Sequence, residues 1–393
     1  MEKTVPKILV INAGSSTDKC FLFDMPSGQT LWEGLLDWSK IPGKVLLKAS
    51  TPQKTLTETS LNITDRHQAL KTLLETIQDL HGISVVGHRV VHGGDKFTQP
   101  TLITAEVKKT IQSLFPLAPL HNPPELDSIN ILETLLPKIP QVAVFDTAFH
   151  STIPPFASTY PGPYQWKEEG IKRYGFHGIS HSYCTKRAAA MLDKDIKKVN
   201  ILSCHLGNGA SIAAVSNGKS VNTSMGFTPL EGLMMGSRSG SVDPGILLYL
   251  LNQKKMDPGT LNNCLFEESG LFGICGEKDM RTVLEKAKNG DDQATLALEM
   301  YIHILRFFLC GLRASLDSLD AIVFTAGIGE NSAYVRDKAC KNLTFLGIQL
   351  DTAKNLACVP DQEVHAKDSH VKILVIHTRE EWAIAHDCMQ FIQ

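Results

Sequence analysis

Ile8-Leu9-Val10-Ile11-Asn12-Ala13-Gly14-Ser15-Ser16-Thr17 and Ile201-Leu202-Ser203-Cys204-His205-Leu206-Gly207-Asn208-Gly209-Ala210-Ser211 follow one plan in two distant parts of the chain. In each, a short and mostly apolar run reads as a buried strand that stops at a turn of small residues. A second run follows, Cys20-Phe21-Leu22-Phe23 in one case and Ile212-Ala213-Ala214-Val215 in the other. Strand, small-residue turn, strand is a hairpin and not a strand–helix unit. Setting Ile8 over Ile201 also pairs Leu9 with Leu202 and Gly14 with Gly207. The repetition predicts a duplication, with two lobes that each open on a hairpin whose turn faces a cleft.

Outward from these hairpins, other apolar runs end in polar or glycine-rich tips. Val142–Phe145 stops at Asp146-Thr147, Ala321–Phe324 at Thr325-Ala326-Gly327-Ile328-Gly329-Glu330-Asn331, and Val371–Ile376 at His377-Thr378-Arg379-Glu380. Helical periodicity is expected over Glu125–Leu136, Ser182–Leu192, Gln293–Leu316 and Ser332–Leu343. Asp243-Pro244 supplies an N-cap and a first-turn proline for one more helix. Alternating strands and helices make the class α/β. The Pro-rich stretch from Ile153 to Pro163 is the expected linker.

The chain has 393 residues, 43% of them hydrophobic, enough for two or three domains and too apolar for a disordered chain. Lys plus Arg number 39 against 41 Asp plus Glu, so bulk charge gives no reason to bind nucleic acid or anionic lipid. Nine cysteines, with no Cys-x-x-Cys pair, read mostly as buried free thiols in a reducing, cytoplasmic setting and not as a disulfide or zinc framework. The apolar run before Asn12 is too short for a signal-peptide core. No window is expected to reach the ~20 apolar residues that span a bilayer.

Polyphosphate needs backbone N–H groups, small side chains and hydroxyl or amide donors. Three strand-end loops answer that need: Asn12–Thr17, His205–Ser211 and Gly327–Asn331, with Lys19 as a neighbouring cation. Any one of them could simply reverse the chain; three together point to phosphate. Gly218-Lys219-Ser220 is not a P-loop, because Ala213 stands where the first glycine should be, and Gly327–Ser332 lacks the third glycine of a dinucleotide fingerprint. Arg89, mid-strand between glycines and beside Val90 and Val91, needs an anion, either a structural carboxylate or a substrate. Arg238 sits in the small-residue loop Met234–Gly240. His177 and His181 have the i, i+4 spacing of a zinc pair, but Gly178 and the absent Glu favour core histidines. His121 lies in a proline-braced turn, Asp146 at a strand tip, and Glu380 and Glu381 at a helix start, where carboxylates favour the dipole anyway.

Taken as an ordered set, these residues resemble the acetate kinase (acetokinase) family. The likeness rests on Asn12–Thr17, Gly87-His88-Arg89-Val90-Val91-His92-Gly93-Gly94, Ala118–Pro124, Phe145–His150, Tyr174–Gly178, His205–Gly209 and Gly327–Asn331, and it runs from Ile8 to the final helix. The resemblance implies the two-lobed, duplicated actin-like ATPase (ribonuclease H-like) fold of the acetate/sugar kinase, Hsp70 and actin superfamily, with an interlobe cleft. It implies an N-terminal lobe of 1–147 plus 382–393 and a C-terminal nucleotide-binding lobe of 148–381. It also implies ATP + acetate ⇌ ADP + acetyl phosphate with Mg2+ (or Mn2+), a role in acetyl-CoA biosynthesis, and a homodimer.

By the same resemblance Asn12 and Glu380 match metal-site residues, and Asp146, His177, Arg238 and His121 match catalytic ones. Arg89 matches the acetate-binding arginine, and Val91, Leu120, Phe176 and Pro229 the pocket for the acyl methyl. Ser15, Thr17 and Lys19, His205, Leu206, Gly207, Asn208 and Gly209, Asp279, Met280 and Arg281, and Gly327, Ile328, Gly329, Glu330 and Asn331 match nucleotide contacts. Four positions depart from the family pattern: Thr17 for Ser, Asp18 for an apolar residue, Ser241 for Asp, and Arg379 for a small polar residue. Asp18 is expected to point away from the phosphates. Propionate kinase is the alternative activity, and a non-catalytic actin- or Hsp70-like nucleotide switch is the alternative class.

Overall fold

The computed structural model describes residues 5–25, 27–80 and 82–392. The chain divides into two compact units, Met1–Ala148 with Arg379–Gln393, and Phe149–Thr378. The first crossing falls beside Ala148. The Pro-rich stretch 153–163 therefore lies wholly inside the second unit, where it forms the short helix Pro155–Ser158 and leads into the helix Tyr164–Glu168, and it is not the linker. The return crossing lies at Thr378–Arg379, slightly before the expected 381/382, because the helix Glu380–Cys388 packs on the first unit's sheet.

That sheet is built from β1 (Lys7–Ala13), β2 (Thr17–Asp24), β3 (Thr30–Asp37), β4 (Val45–Thr51), β5 (Lys54–Leu61), β6 (Ile83–Val90), β7 (Thr101–Leu102) and β8 (Gln141–Phe145), in the order β5-β4-β3-β2-β1-β6-β8-β7. The second unit's sheet contains β9 (Ile201–Leu206), β10 (Ala210–Ser216), β11 (Lys219–Thr223), β12 (Ala321–Thr325), β13 (Gln362–Glu363) and β14 (Lys372–Val375), in the order β11-β10-β9-β12-β14-β13. The duplication is visible in the pairing. β3-β2-β1 is antiparallel throughout and β1-β6-β8 parallel. β11-β10-β9 and β9-β12-β14 repeat those senses in the same order. This is the strand plan of the actin-like ATPase fold, present twice.

The parallel strands are the most apolar because helices cover both of their faces. Every residue of β8, β9 and β12 is buried. In the first unit, Leu9, Ile11, Leu22, Leu36, Leu47, Leu70 and Leu73 share one core. β5, by contrast, carries Lys54, Glu58 and four threonine or serine residues, and its exposed polar side chains suit a sheet edge.

The expected helices appear as Asn122–Leu135, Gly178–Met191, Asp292–Arg313, Ala333–Cys340 and Pro244–Asn252, the last capped by Asp243 Oδ1 accepting from Gly245 N at 2.8 Å. Two expectations are corrected. Gly327–Asn331 belongs to a short helix, Ala326–Asn331, and is not a loop. The helix Asp292–Arg313 is also long and apolar enough to cross a membrane by length and composition. Its buried stripe of Ala294, Ala297, Leu298, Tyr301, Leu305, Leu309 and Leu312 has the spacing of a helix packed on one side, and it lies on β9 and β10.

Candidate active site

In the first unit the polar residues gather where β1, β6 and β8 end. Arg89, near the end of β6, donates from Nη2 to Asp146 Oδ2 at 2.6 Å, and its Nη1 lies 3.5 Å from Asn12 Oδ1 and 3.9 Å from Glu125 Oε1. Asp146 follows β8 directly, and its backbone N–H donates to Val90 O at 2.9 Å, which extends the β6–β8 ladder by one step. Burial opposes the Arg89 charge, but Asp146, Glu125 and Glu380 outweigh it and push its pKa up, so the guanidinium stays charged. Burial raises Glu125 to about 8 despite Arg89. Burial also raises Glu380, with repulsion from Asp146 as the next cause. Two of the buried oxygens, Asp146 Oδ1 and Glu125 Oε1, lack a hydrogen-bond partner.

The scaffold behind this group was not legible in the sequence. Asn122, at the start of its helix, accepts from His92 N through Oδ1 and donates to His92 O through Nδ2, both at 3.1 Å. Glu125, one turn along, accepts from Val91 N at 2.9 Å. Together they pin the Val91–His92 segment to the helix that follows His121. Asn12 is held in turn by Glu381 Oε1, 3.3 Å from its Nδ2. A buried amide and carboxylate within a first helical turn were the only signals available, and on a sequence they look like ordinary caps.

In the β1–β2 turn, Gly14 N donates to Thr17 O at 2.8 Å, leaving Ser15 and Lys19 exposed and Thr17 half-buried. Asp18 does point inward. It is fully buried, 3.3 Å from Arg66 Nε, and Arg66 also donates to Gly14 O at 2.7 Å and Pro124 O at 2.9 Å. Val91 is buried, Leu120 exposed and His121 half-buried. Arg379 is exposed.

In the second unit, His177 precedes the helix Gly178–Met191 in the left-handed region, at φ 55°. Its ring stacks on His205 at 4.1 Å, and its Nδ1 lies 2.9 Å from Ser211 Oγ. A side chain at Gly209 would begin 3.3 Å from His177 Nε2 and 3.7 Å from Arg238 Nη1, so glycine there keeps the space beside both groups open. Arg238 donates to the carbonyl of the buried Pro229 at 3.2 Å and lies over Phe266. Ser241 Oγ accepts from Gly232 N at 3.0 Å, closing the loop that carries Arg238. Phe176 is buried, its carbonyl accepting from His150 Nε2 at 2.9 Å. Both ring nitrogens of His181 are committed to Ser203 and Ser211, so it does not converge with His177 as a zinc pair would. Among the described residues no group of three or more His, Cys, Asp or Glu is arranged for a metal ion.

A cavity of about 580 Å3 in the same unit is lined by Gly207, Asn208, Asp279, Met280, Arg281, Gly327, Ile328 and Asn331, with Lys278, Leu284 and Ser332 in addition. Asp279 caps the helix Met280–Lys288 and is clamped by Arg281, whose Nε and Nη2 reach it at 3.0 and 2.5 Å. These bonds hold the Asp279 carboxyl down at about 2. Five of the second unit's sequence-predicted nucleotide contacts lie outside the lining. Leu206 is fully buried, His205 bonds Ser180, Gly209 lies by His177, and Gly329 and Glu330 turn inward. The Glu330 carboxylate accepts from Ala326 N at 2.9 Å and from Thr378 N at 3.0 Å.

Residues 7–386 match the family described as the Acetokinase family. The chain belongs to that family. It is 50% identical to an acetate kinase of Microcystis aeruginosa over 97% of this chain and 98% of the relative. Among solved structures it resembles the acetate kinase of Porphyromonas gingivalis, with a TM-score of 0.92 and 38% identity over 99% of this chain and all of that one. It equally resembles a propionate kinase from Francisella tularensis subsp. tularensis SCHU S4, with a TM-score of 0.92 and 39% identity over 97% of this chain and 98% of the other.

Proposed function

We propose that this chain is an ATP:acetate phosphotransferase, moving the γ-phosphoryl of ATP reversibly and in line to acetate to give acetyl phosphate and ADP. Beyond family membership, the observation that carries the reading is Arg89, a guanidinium held charged by Asp146 beside the buried Val91. A carboxylate acceptor is already ionised at neutral pH, so the chemistry needs no strong general base. It needs the repulsion between carboxylate and triphosphate offset, by groups fixed before the reaction begins. Arg89 supplies that charge for the acceptor, and the residues that match the family's acyl pocket are Val91 and Leu120 in the first unit and Phe176 and Pro229 in the second. His177 and Arg238, flanking the space left by Gly209, are suited to the phosphoryl oxygens. His121 is assigned near the transferred group and Asp146 to aligning Arg89.

The 580 Å3 cavity takes the adenosine, with Asn208, Ile328 and Arg281 on its walls. Ser15, Thr17 and Lys19, at the β1–β2 turn of the first unit, match the family's phosphate contacts. The remaining loop residues, His205, Leu206, Gly209, Gly329 and Glu330, shape the nucleotide site without lining it. Asn12, Asp146 and Glu380 offer only oxygen donors, and the bare Asp146 Oδ1 fits a hard cation that keeps most of its water. Mg2+ bound there with the nucleotide would neutralise phosphate charge.

Propionate is the second reading, favoured by the similarity to the Francisella protein. One methylene in an apolar pocket is worth only ~1–3 kcal/mol. A homodimer is supported by the helix Pro244–Asn252, whose Ile246, Leu248 and Tyr249 are exposed. A cytoplasmic setting suits cysteines that form no disulfide among the described residues. The test is to incubate the protein with Mg-ATP and acetate, propionate or butyrate, trapping acyl phosphate with hydroxylamine. Acetate should give the largest signal, butyrate the smallest, and omission of Mg2+ none. ATP binding without acyl phosphate from any acid would overturn the proposal.

A further inference from the structure

Behind His177 runs a buried chain of alternating hydroxyls and imidazoles. Ser211 Oγ lies 2.9 Å from His177 Nδ1 and 2.8 Å from His181 Nε2, and His181 Nδ1 lies 2.9 Å from Ser203 Oγ. Ser203, His181 and Ser211 are all fully buried, on β9, the helix Gly178–Met191 and β10. Groups so placed must satisfy one another. Ser211 has one hydroxyl proton for two rings, so it donates to one and accepts from the other. His181 is neutral, because burial and then the neighbouring His150 and His205 depress its pKa well below the ordinary value, and a neutral ring carries a single N–H. The chain therefore has only two consistent directions.

In one direction, Ser203 donates to His181 Nδ1, His181 Nε2–H to Ser211, and Ser211 O–H to His177 Nδ1. The His177 proton then sits on Nε2, on the side of Gly209 and Arg238. In the other, every bond reverses and a neutral His177 turns the Nε2 lone pair to that side. A lone pair facing phosphoryl oxygens is repulsive, whereas an N–H donor is what a transferring phosphoryl group requires.

We propose that Ser203, His181 and Ser211 form a directed relay that fixes His177 as its Nε2–H tautomer, making Ser211 and His181 positioning residues for phosphoryl transfer. The inference rests on the role given to His177 above. The stack of His205 on His177 fixes the plane of the ring, and the relay fixes which nitrogen carries the proton. Neither Ser211 nor Ser203 touches the reacting atoms.

The test is two-bond 1H–15N spectroscopy of the full chain labelled with 15N-histidine, together with steady-state kinetics of Ser211→Ala and Ser211→Thr. His177 should appear as a single neutral Nε2–H tautomer. Ser211→Ala should give a mixed or reversed tautomer and lower kcat about tenfold, the scale of one net hydrogen bond, with KM for ATP and acetate nearly unchanged. Ser211→Thr, which keeps the hydroxyl, should restore both. An Nδ1–H tautomer or an imidazolium in the unaltered protein overturns the proposal whether or not the variants fold. So does Ser211→Ala with unchanged tautomer or unchanged kcat. A fully active His177→Ala would instead remove the role given to His177 and leave the tautomer result standing.

Discussion

Arg89 and Arg238 carry the same charge but are held in different ways. Arg89 is locked by the Asp146 carboxylate, so its position is set by Coulomb attraction in a buried site. Arg238 donates to the Pro229 carbonyl and lies over the Phe266 ring. A donor aimed at charge that develops only in the transition state should act on kcat more than on binding. Arg238→Ala is therefore expected to lose roughly 10²–10³-fold in kcat, with a smaller change in KM for acetate. Initial rates of acetyl phosphate formation check this, and near-normal turnover would refute the role.

At the scale of elements, the turn between β1 and β2 depends on a residue far along the chain. Arg66, on the helix Arg66–Leu74, ties Gly14 O in that turn to Pro124 O at the start of the helix Asn122–Leu135, and it compensates Asp18. Burial already raises the Asp18 pKa despite Arg66. Removing the cation leaves a buried carboxyl with no charge partner and frees two carbonyls. Arg66→Ala should cost about 3–5 kcal/mol of stability, measured by urea unfolding. A loss below about 0.5 kcal/mol, the range of neutral surface substitutions, would show that the clamp is idle.

For the whole molecule, acid is the expected weakness. His88 and His150 are buried, one in each unit, and burial lowers each to about 4, although a hydrogen bond to Gln141 or to Phe176 O opposes the shift. The unfolded chain takes up these protons near pH ~6.5 while the folded chain refuses them until far lower pH. Their contribution is thus fully present above pH ~6.5 and lost as pH falls toward 4, by ~3 kcal/mol for each group. Glu125, raised to about 8, shifts in the opposite sense, so the histidine contribution is read as a difference: from pH 7 to pH 5 the urea midpoint should fall less, or rise more, in His88→Gln than in the unaltered chain. An identical pH profile in the two proteins would contradict this.

The sequence by itself determined the duplicated hairpins, several of the helices and nearly every residue with a proposed chemical role. Apolar runs and small-residue turns are local patterns, and strands buried on both faces must be continuously apolar wherever they pair. Local pattern also misled in places. Prolines at 153–163 read as a linker although they brace two short helices, and Gly327–Asn331 read as a loop although Glu330 folds back to accept from Ala326 and completes a helix. Only the tertiary structure decided which polar residues are scaffold. Asn122, Glu125, Glu381, Arg66, Ser203 and Ser211 gain their meaning from partners on other elements. A hydrogen bond between distant segments leaves no spacing to read, and burial is a property of the packed chain.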